Sequence, residues 1–290
     1  MDSSSVNRYV GRFAPSPTGD LHFGSLVAAL ASYLQAKKSA GKWVVRVEDI
    51  DPPREKAGSA DRIIKDLGRL GMKSDGPVVY QRHRQAAYDL AVAQLIESKK
   101  AYWCACSRKD LPSSGIYPGT CRDGISRGKL PRAVRVRVNS TPVAFLDRLQ
   151  GKQIHNLLES VGDFVIRRVD GMTAYQLAVV VDDAFQNVSE VVRGADLLDS
   201  TARQIWLQTC LKLPSPAYLH IPIAVSQDGS KLSKRYKSDP IRHADPARSL
   251  QAALAFLGHE APRLGLADTL GWALENWSVS NIPSVIAHPV

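Results

Sequence analysis

Two short segments, roughly 200 residues apart, carry side chains suited to handling polyphosphate. The first is Arg12-Phe13-Ala14-Pro15-Ser16-Pro17-Thr18-Gly19-Asp20-Leu21-His22-Phe23-Gly24-Ser25. Its glycines let a backbone come close to a ligand, and His22, at the mouth of a following helix, joins the free first-turn N–H groups as a donor to phosphate oxygens. Neither GxxxxGK[ST] nor GxGxxG describes it. The second is Lys231-Leu232-Ser233-Lys234-Arg235, which follows an Asp228-Gly229 turn. Its ammonium groups suit the charge that builds on triphosphate oxygens when a carboxylate displaces pyrophosphate. Taken singly, the first is an ordinary strand-to-helix loop and the second a solvated charge run; the pairing is what carries information.

A third constellation is Cys104-Ala105-Cys106 with Tyr117-Pro118-Gly119-Thr120-Cys121. Three thiolates and one oxygen or nitrogen donor suit tetrahedral zinc in a closed, structural site. The spacing leaves the fourth ligand open. No histidine lies between Trp103 and Arg122, so the Tyr117 phenolate is the nearest candidate; the alternative is a set of unbound reduced cysteines. Cys210 sits on an apolar helical face and reads as core.

The elements that must position these groups are those of an α/β protein. Tyr9 to Phe13 and Trp43 to Ile50 read as strands, and between them Leu26, Leu30, Tyr33 and Leu34 share one face of a helix over Ser25 to Lys38, stopped by Gly41. Further helices follow Ser59 and span about Arg82 to Ser98. This alternation predicts a doubly wound parallel sheet with the first segment at its carboxyl edge. From Ala101 the texture becomes Pro-, Gly- and Cys-rich. Val134, Val136 and Val138 then alternate with Arg135 and Arg137 as in a half-exposed strand, and Asp170-Gly171 predicts a hairpin between strands Phe164 to Val169 and Thr173 to Val181. The α/β pattern resumes with Val191-Val192, a helix near Thr201 to Leu211 and a strand at Tyr218 to Val225. A helix opened by Asp245-Pro246 and a second after Asp268 close the pattern, and the last dozen residues read as a loose tail.

Composition sets the outer limits. The chain has 290 residues, 44% hydrophobic and 23% charged, which excludes disorder. Lys and Arg exceed Asp and Glu by 38 − 28 = +10, favouring a polyanionic partner such as nucleic acid. No run approaches the roughly 20 apolar residues a membrane helix needs. Met1 to Ser5 lack a basic-then-apolar leader, so neither export nor membrane anchoring is signalled and a cytoplasmic location is expected. Three of the four cysteines lie close together, which suits a metal clip better than a disulfide framework.

Together the two basic segments resemble the signature pair of class I aminoacyl-tRNA synthetases, a variant HIGH element at His22-Phe23-Gly24-Ser25 and a variant KMSKS element at Lys231 to Arg235. Ser25 stands where the second histidine would be, and Leu232 replaces methionine. Arg12 to Gly24, with Arg46-Val47-Glu48-Asp49-Ile50-Asp51, resembles the glutamyl and glutaminyl branch in particular. Only 55 residues follow Arg235, fewer than the anticodon-binding portion of that branch requires, so the chain is most similar to the shortened glutamyl-queuosine family.

The resemblance implies a Rossmann-type catalytic domain in two halves (1–100 and 186–240), a zinc-bearing antiparallel insertion resembling an acceptor-binding domain (101–185) and a helical C-terminal region (241–290). It implies ATP, with Mg²⁺, bound by His22, Gly24, Ser25, Lys231, Ser233 and Lys234, with His22 and Lys234 acting in catalysis. L-glutamate needs partners of both signs. Arg12 is the first candidate for its side-chain carboxylate and Arg193 the second, Glu48 suits the ammonium, and Tyr175 offers a hydroxyl; family likeness adds Ser16. The same likeness implies one structural zinc on Cys104, Cys106, Tyr117 and Cys121, and a monomer that activates glutamate without tRNA and transfers it to the queuosine base at the wobble position of tRNA(Asp). Other readings are a truncated enzyme charging a tRNA 3′ end, a non-catalytic synthetase-like RNA-binding protein, and an acid-activating ligase that makes a small-molecule amide.

Overall fold

The structure is a computed structural model that describes residues 9–225 and 241–289. Lys231, Ser233 and Lys234, with the rest of the second basic segment, lie outside the described residues.

The first half contains β1 (Val10–Phe13), α1 (Phe23–Lys38), β2 (Lys42–Val47), α2 (Ser59–Arg69), β3 (Val79–Tyr80) and α3 (Gln85–Glu97). The middle holds β4 (Ala101–Cys104), β5 (Ala133–Val136), β6 (Val143–Asp147), β7 (Gly151–His155), α4 (Leu157–Ser160), β8 (Val165–Arg167) and α5 (Tyr175–Phe185). Then come β9 (Glu190–Gly194), α6 (Leu198–Leu211), β10 (Ala217–Ile221), β11 (Ile223–Val225), α7 (Pro246–Phe256), α8 (Leu266–Asn276) and β12 (Ala287–Pro289). No described helix is long and apolar enough to cross a membrane.

Strands β1, β2 and β3 pair in parallel in that order. Strands β9, β10 and β6 are also parallel, and β7 adds antiparallel at the edge. The two sets meet where β1 lies beside β9, with Ser189 N–H bonded to the Val10 carbonyl at 2.9 Å. Chain order therefore runs outward in opposite directions from the β1–β9 seam, through β1, β2 and β3 on one side and β9 and β10 on the other, before β6 and β7 complete the far edge. In an open α/β sheet such a switch point leaves a crevice at the carboxyl ends of the strands. Residues 143–155, inside the 101–185 span, thus join the larger sheet, while β4, β5 and β8 form a separate three-stranded antiparallel sheet.

Helix α1 anchors the first half because Leu26, Leu30 and Leu34 are fully buried against the sheet while Lys37 and Lys38 meet the negative end of its dipole. Trp43, fully buried, stacks on Phe13 at 6.5 Å and donates its indole N–H to Ser32 Oγ at 2.9 Å, so its polar atom is satisfied. The turn after α1 differs from expectation. Ala40 takes the left-handed conformation (φ +48°), whereas Gly41 is required because a Cβ there would overlap Tyr9.

Three further expectations are corrected. Asp170-Gly171 does turn the chain, with Arg168 N–H bonded to the Met172 carbonyl at 2.8 Å, but the next element is helix α5 rather than a strand over Thr173 to Val181. A short apolar run buried on all sides has no period to separate helix from strand. Arg135 does not face solvent, and Arg137 is half-buried. Arg135 is 9% exposed and lies over the Tyr117 ring at 3.8 Å, and Arg137 lies over Tyr102 at 4.8 Å, so the alternation of β5 marks two packed faces. The terminal segment is not loose. Trp277 and Ile282 are buried, the Trp277 indole N–H bonds Gln35 at 2.9 Å, and β12 pairs in parallel with β11.

Candidate functional site

The loop from β1 to α1 is held from below by its carbonyls. Pro15 accepts from Glu48 N–H and Pro17 from Lys56 N–H, both at 2.9 Å, and Gly19 accepts from the Ser59 hydroxyl. Asp20 accepts from Arg62 at 2.6 Å and from Arg242 at 2.8 Å. Ile241 N–H bonds the Leu21 carbonyl at 3.1 Å, so the first residue described after the gap sits beside His22.

Above this loop, at the β1–β9 switch point, is a cleft of about 980 Å³. Arg12, Ser16, His22, Gly24, Ser25, Glu48, Tyr175 and Arg193 all line it. Every described residue expected to meet glutamate or ATP is therefore brought to one cavity. They come from several kinds of position: Arg12 and Arg193 from strand ends, Glu48 from just past β2, Tyr175 from the first turn of α5, and His22 from the N-cap of α1.

His22 Nδ1 accepts the Ser25 N–H at 3.2 Å, and Nε2 lies 3.0 Å from Ser25 Oγ. An accepting Nδ1 leaves the proton on Nε2. Burial lowers the imidazole pKa, which keeps the ring neutral, with Nε2–H as a donor directed at Ser25 Oγ in this structure. Ser25, standing at a variant position of the motif, thus orients the histidine.

The floor of the cleft is an ion network that sequence reasoning did not resolve. Asp183, on α5, receives Arg12 Nε at 3.3 Å and Arg46 Nη1 at 2.8 Å, while Arg46 Nη2 reaches Glu48 at 3.3 Å. Burial works to raise the Asp183 carboxyl, but Arg12 and Arg46 outweigh it and hold it below the usual range. Glu48 comes out the other way, with burial dominant and its pKa raised. Burial, then the Glu48 charge, raises the Tyr175 phenol, which stays protonated as a hydroxyl donor. A second missed group is the buried pair Asp147–His220 behind Arg193, at 2.6 Å. Two signals marked these groups in the sequence: adjacent acids, Asp182-Asp183, inside an apolar helix, and a lone imidazole in the apolar strand β10.

The cysteine cluster is built separately and locally. The Cys104, Cys106 and Cys121 sulfurs lie within 4.8 Å of one another. The Tyr117 hydroxyl is 3.4 Å from Cys104 Sγ and 3.6 Å from Cys106 Sγ, and Cys106 and Cys121 sulfurs are 3.6 Å apart. Tetrahedral ligands about 2.3 Å (sulfur) and about 2.0 Å (oxygen) from one ion would lie about 3.5–3.8 Å from each other, so these four side chains could hold a metal. Asp163, fully buried, ties the module together by accepting from Tyr102, from Arg122 at 2.5 and 2.6 Å, and from Val138 N–H at 2.9 Å. Gly162 (φ +67°) bridges Tyr117, and a Cβ there would overlap the Tyr117 backbone.

A parallel sheet with its cleft at the switch point, interrupted by a small antiparallel module, is the architecture of class I tRNA synthetases. The structure superposes on the glutamate-tRNA synthetase of Elizabethkingia anophelis with a TM-score of 0.81 and 23% identity, covering 98% of this chain and 68% of that one. A glutamate tRNA ligase from Elizabethkingia meningosepticum, solved in complex with its amino acid, gives 0.79 and 22%, covering 97% and 66%. Residues 9–114 and 120–253 match the catalytic domain of the class I (E and Q) tRNA synthetases, and the chain belongs to this family. It is 49% identical over 288 residues to the Glutamyl-Q tRNA(Asp) synthetase of Dechloromonas aromatica, covering 95% of this chain and 96% of that one. The protein of the same name from Pseudomonas aeruginosa is 49% identical over 289 residues, with 98% of each chain covered.

Proposed function

We propose that this protein activates glutamate with ATP, without tRNA, and transfers the glutamyl group to the queuosine base at the wobble position of tRNA(Asp). The observation that carries this reading is the meeting of eight motif residues in one cleft of a chain whose near-full-length relatives bear that name.

In the first step a glutamate α-carboxylate oxygen attacks the α-phosphorus of ATP, which arrives with Mg²⁺, and pyrophosphate leaves as glutamyl adenylate forms. The neutral His22 donates Nε2–H to a phosphate oxygen, beside the Phe23 and Gly24 N–H groups that have no intrahelical acceptor. Lys234, with Lys231, supplies the opposing positive charge, and Ser233 adds a hydroxyl.

The amino acid is selected by charge. Arg12 already shares Asp183, whereas no carboxylate bridges Arg193 among the described residues, and its Nη1 is buried without a partner. A bound side-chain carboxylate satisfies that atom; glutamine would leave a buried cation uncompensated. Ser16 and the Tyr175 hydroxyl add neutral contacts, and Glu48 faces the ammonium. In the second step a queuosine cyclopentene hydroxyl attacks the adenylate carbonyl and AMP leaves.

The four-donor cluster is assigned to one structural zinc, with Tyr117 as the oxygen ligand. Spacings near those of tetrahedral coordination support this, and zinc there would brace the antiparallel module rather than enter the reaction. The halves 1–100 and 186–240 form the catalytic unit in this reading, with 101–185 as the insertion and 241–290 as the helical region.

The test is incubation with radiolabelled glutamate, ATP and total tRNA, followed by nuclease mapping of the labelled nucleotide. Label at the wobble base of tRNA(Asp) is expected. Label at a 3′-terminal adenosine would instead make the chain a truncated glutamyl-tRNA synthetase.

A further inference from the structure

Arg193 is held along one edge and open on the other. Its Nε–H points at His220 Nε2 at 3.0 Å, and Nη2 donates to Thr201 Oγ1 at 2.9 Å and to the Leu197 carbonyl at 3.3 Å. The remaining nitrogen, Nη1, has no hydrogen-bond partner although it is buried, and Arg193 lines the cleft.

The residue behind it decides what that open edge means. His220 is fully buried, and its Nδ1 lies 2.6 Å from Asp147 Oδ2. Asp147 is in turn fixed by the N–H groups of Leu149 at 3.0 Å and Gln150 at 2.8 Å. A carboxylate at Nδ1 keeps the proton there, which makes Nε2 a lone-pair acceptor for the Arg193 Nε–H. Burial lowers the imidazole pKa, ahead of the opposing hydrogen bond from Asp147, so the ring is neutral.

We propose that the Asp147–His220 pair is a positioning device that fixes the plane of Arg193 through a neutral acceptor, leaving the guanidinium charge intact for the carboxylate of the amino acid. The contrast with Arg12 gives the reason. A carboxylate placed directly on Arg193 would orient it equally well but cancel the charge that distinguishes glutamate from glutamine. An imidazole with its own carboxylate one bond further away orients it and leaves that charge uncancelled. This rests on the glutamate reading above, and it makes His220 a positioning residue rather than one that touches substrate.

The experiment is ATP–pyrophosphate exchange driven by glutamate, using the full chain with His220→Ala and His220→Gln, whose amide oxygen reaches the place of Nε2. His220→Ala should raise the KM for glutamate about 10- to 100-fold, the loss of a hydrogen bond to a charged group. The KM for ATP should stay near that of the unsubstituted protein, while the melting temperature falls because Asp147 loses its buried partner. His220→Gln should recover the glutamate KM to within about threefold. Should His220→Ala fail to fold, Thr201→Val removes one hydroxyl from the same guanidinium and should raise the glutamate KM about 3- to 10-fold. An unchanged glutamate KM, an equal rise in both KM values, or failure of His220→Gln to recover the glutamate KM overturns the positioning role. Absence of glutamate-dependent exchange in the unsubstituted protein overturns the glutamate reading and this inference together.

Discussion

The cleft and the cysteine cluster bring side chains together by opposite means. The cleft gathers Arg12, Glu48 and Arg193 from across the chain, holding the first two through buried charges shared with Asp183 and Arg46 and the third through the neutral His220. The cluster takes all four donors from Cys104 to Cys121 and closes them against Arg135 and Asp163. A site made of distant segments fails when the charge balance of its scaffold changes, because each charge is the partner of another. A local, closed site fails by itself, and the rest of the molecule need not follow.

The sharpest way to break this contrast is Asp183→Ala. It leaves Arg12 and Arg46 buried with one carboxylate fewer, and deleting one partner of a buried pair costs about 3–5 kcal/mol. Chemical denaturation should show that loss across the whole transition. The same residue predicts acid sensitivity. Its native pKa is held low, so its contribution is complete above the ordinary aspartate value of about 3.9 and is lost as pH falls through the lowered native value. Glu48, raised by burial, has the opposite sign: it withdraws stability as pH rises from about 4.3 through its raised native value. Asp183→Asn should flatten the acid limb of the stability curve.

Lys234→Ala comes next. Removal of one transition-state donor should lower glutamate-dependent pyrophosphate exchange about 10²- to 10³-fold, or about 2.7–4 kcal/mol, without moving the melting temperature. Unaltered exchange would remove Lys234 from the mechanism. The smallest effect on catalysis is expected for Cys104→Ser. It should reduce bound zinc to below about a tenth of an equivalent and destabilise the insertion by about 1–3 kcal/mol while exchange stays within about threefold. A protein purified without metal would argue against the cluster as a zinc site. A large loss of exchange in Cys104→Ser would erase the contrast between the two regions.

Legibility in the sequence followed the same division. Strand β1, helix α1 and strand β2 were readable because Leu26, Leu30 and Leu34 mark a helical face between apolar runs, and the cysteine cluster was readable because its donors are neighbours. Helix α5 was not, since Leu177 to Val181 is apolar on every side and carries no period. The alternation of Val134 to Val138 was misleading for a different reason. Arginines that stack on buried tyrosines look, in sequence, like arginines in water. Arg12, Glu48 and Arg193 could be named from motif and charge. Asp183 and the Asp147–His220 pair touch those residues from elsewhere in the chain, and no local spacing encodes such a partnership.

Gly162 shows how far a donor atom's placement can be governed from outside its own segment. The backbone of Tyr117 leans on a left-handed residue 45 positions later that has no room for a methyl group. The geometry of the four candidate donors therefore has an adjustment screw that is not itself a donor. In the zinc reading, a descendant of this chain would lose the site by acquiring a single carbon at that remote bend, with all four candidate donors still written in its sequence.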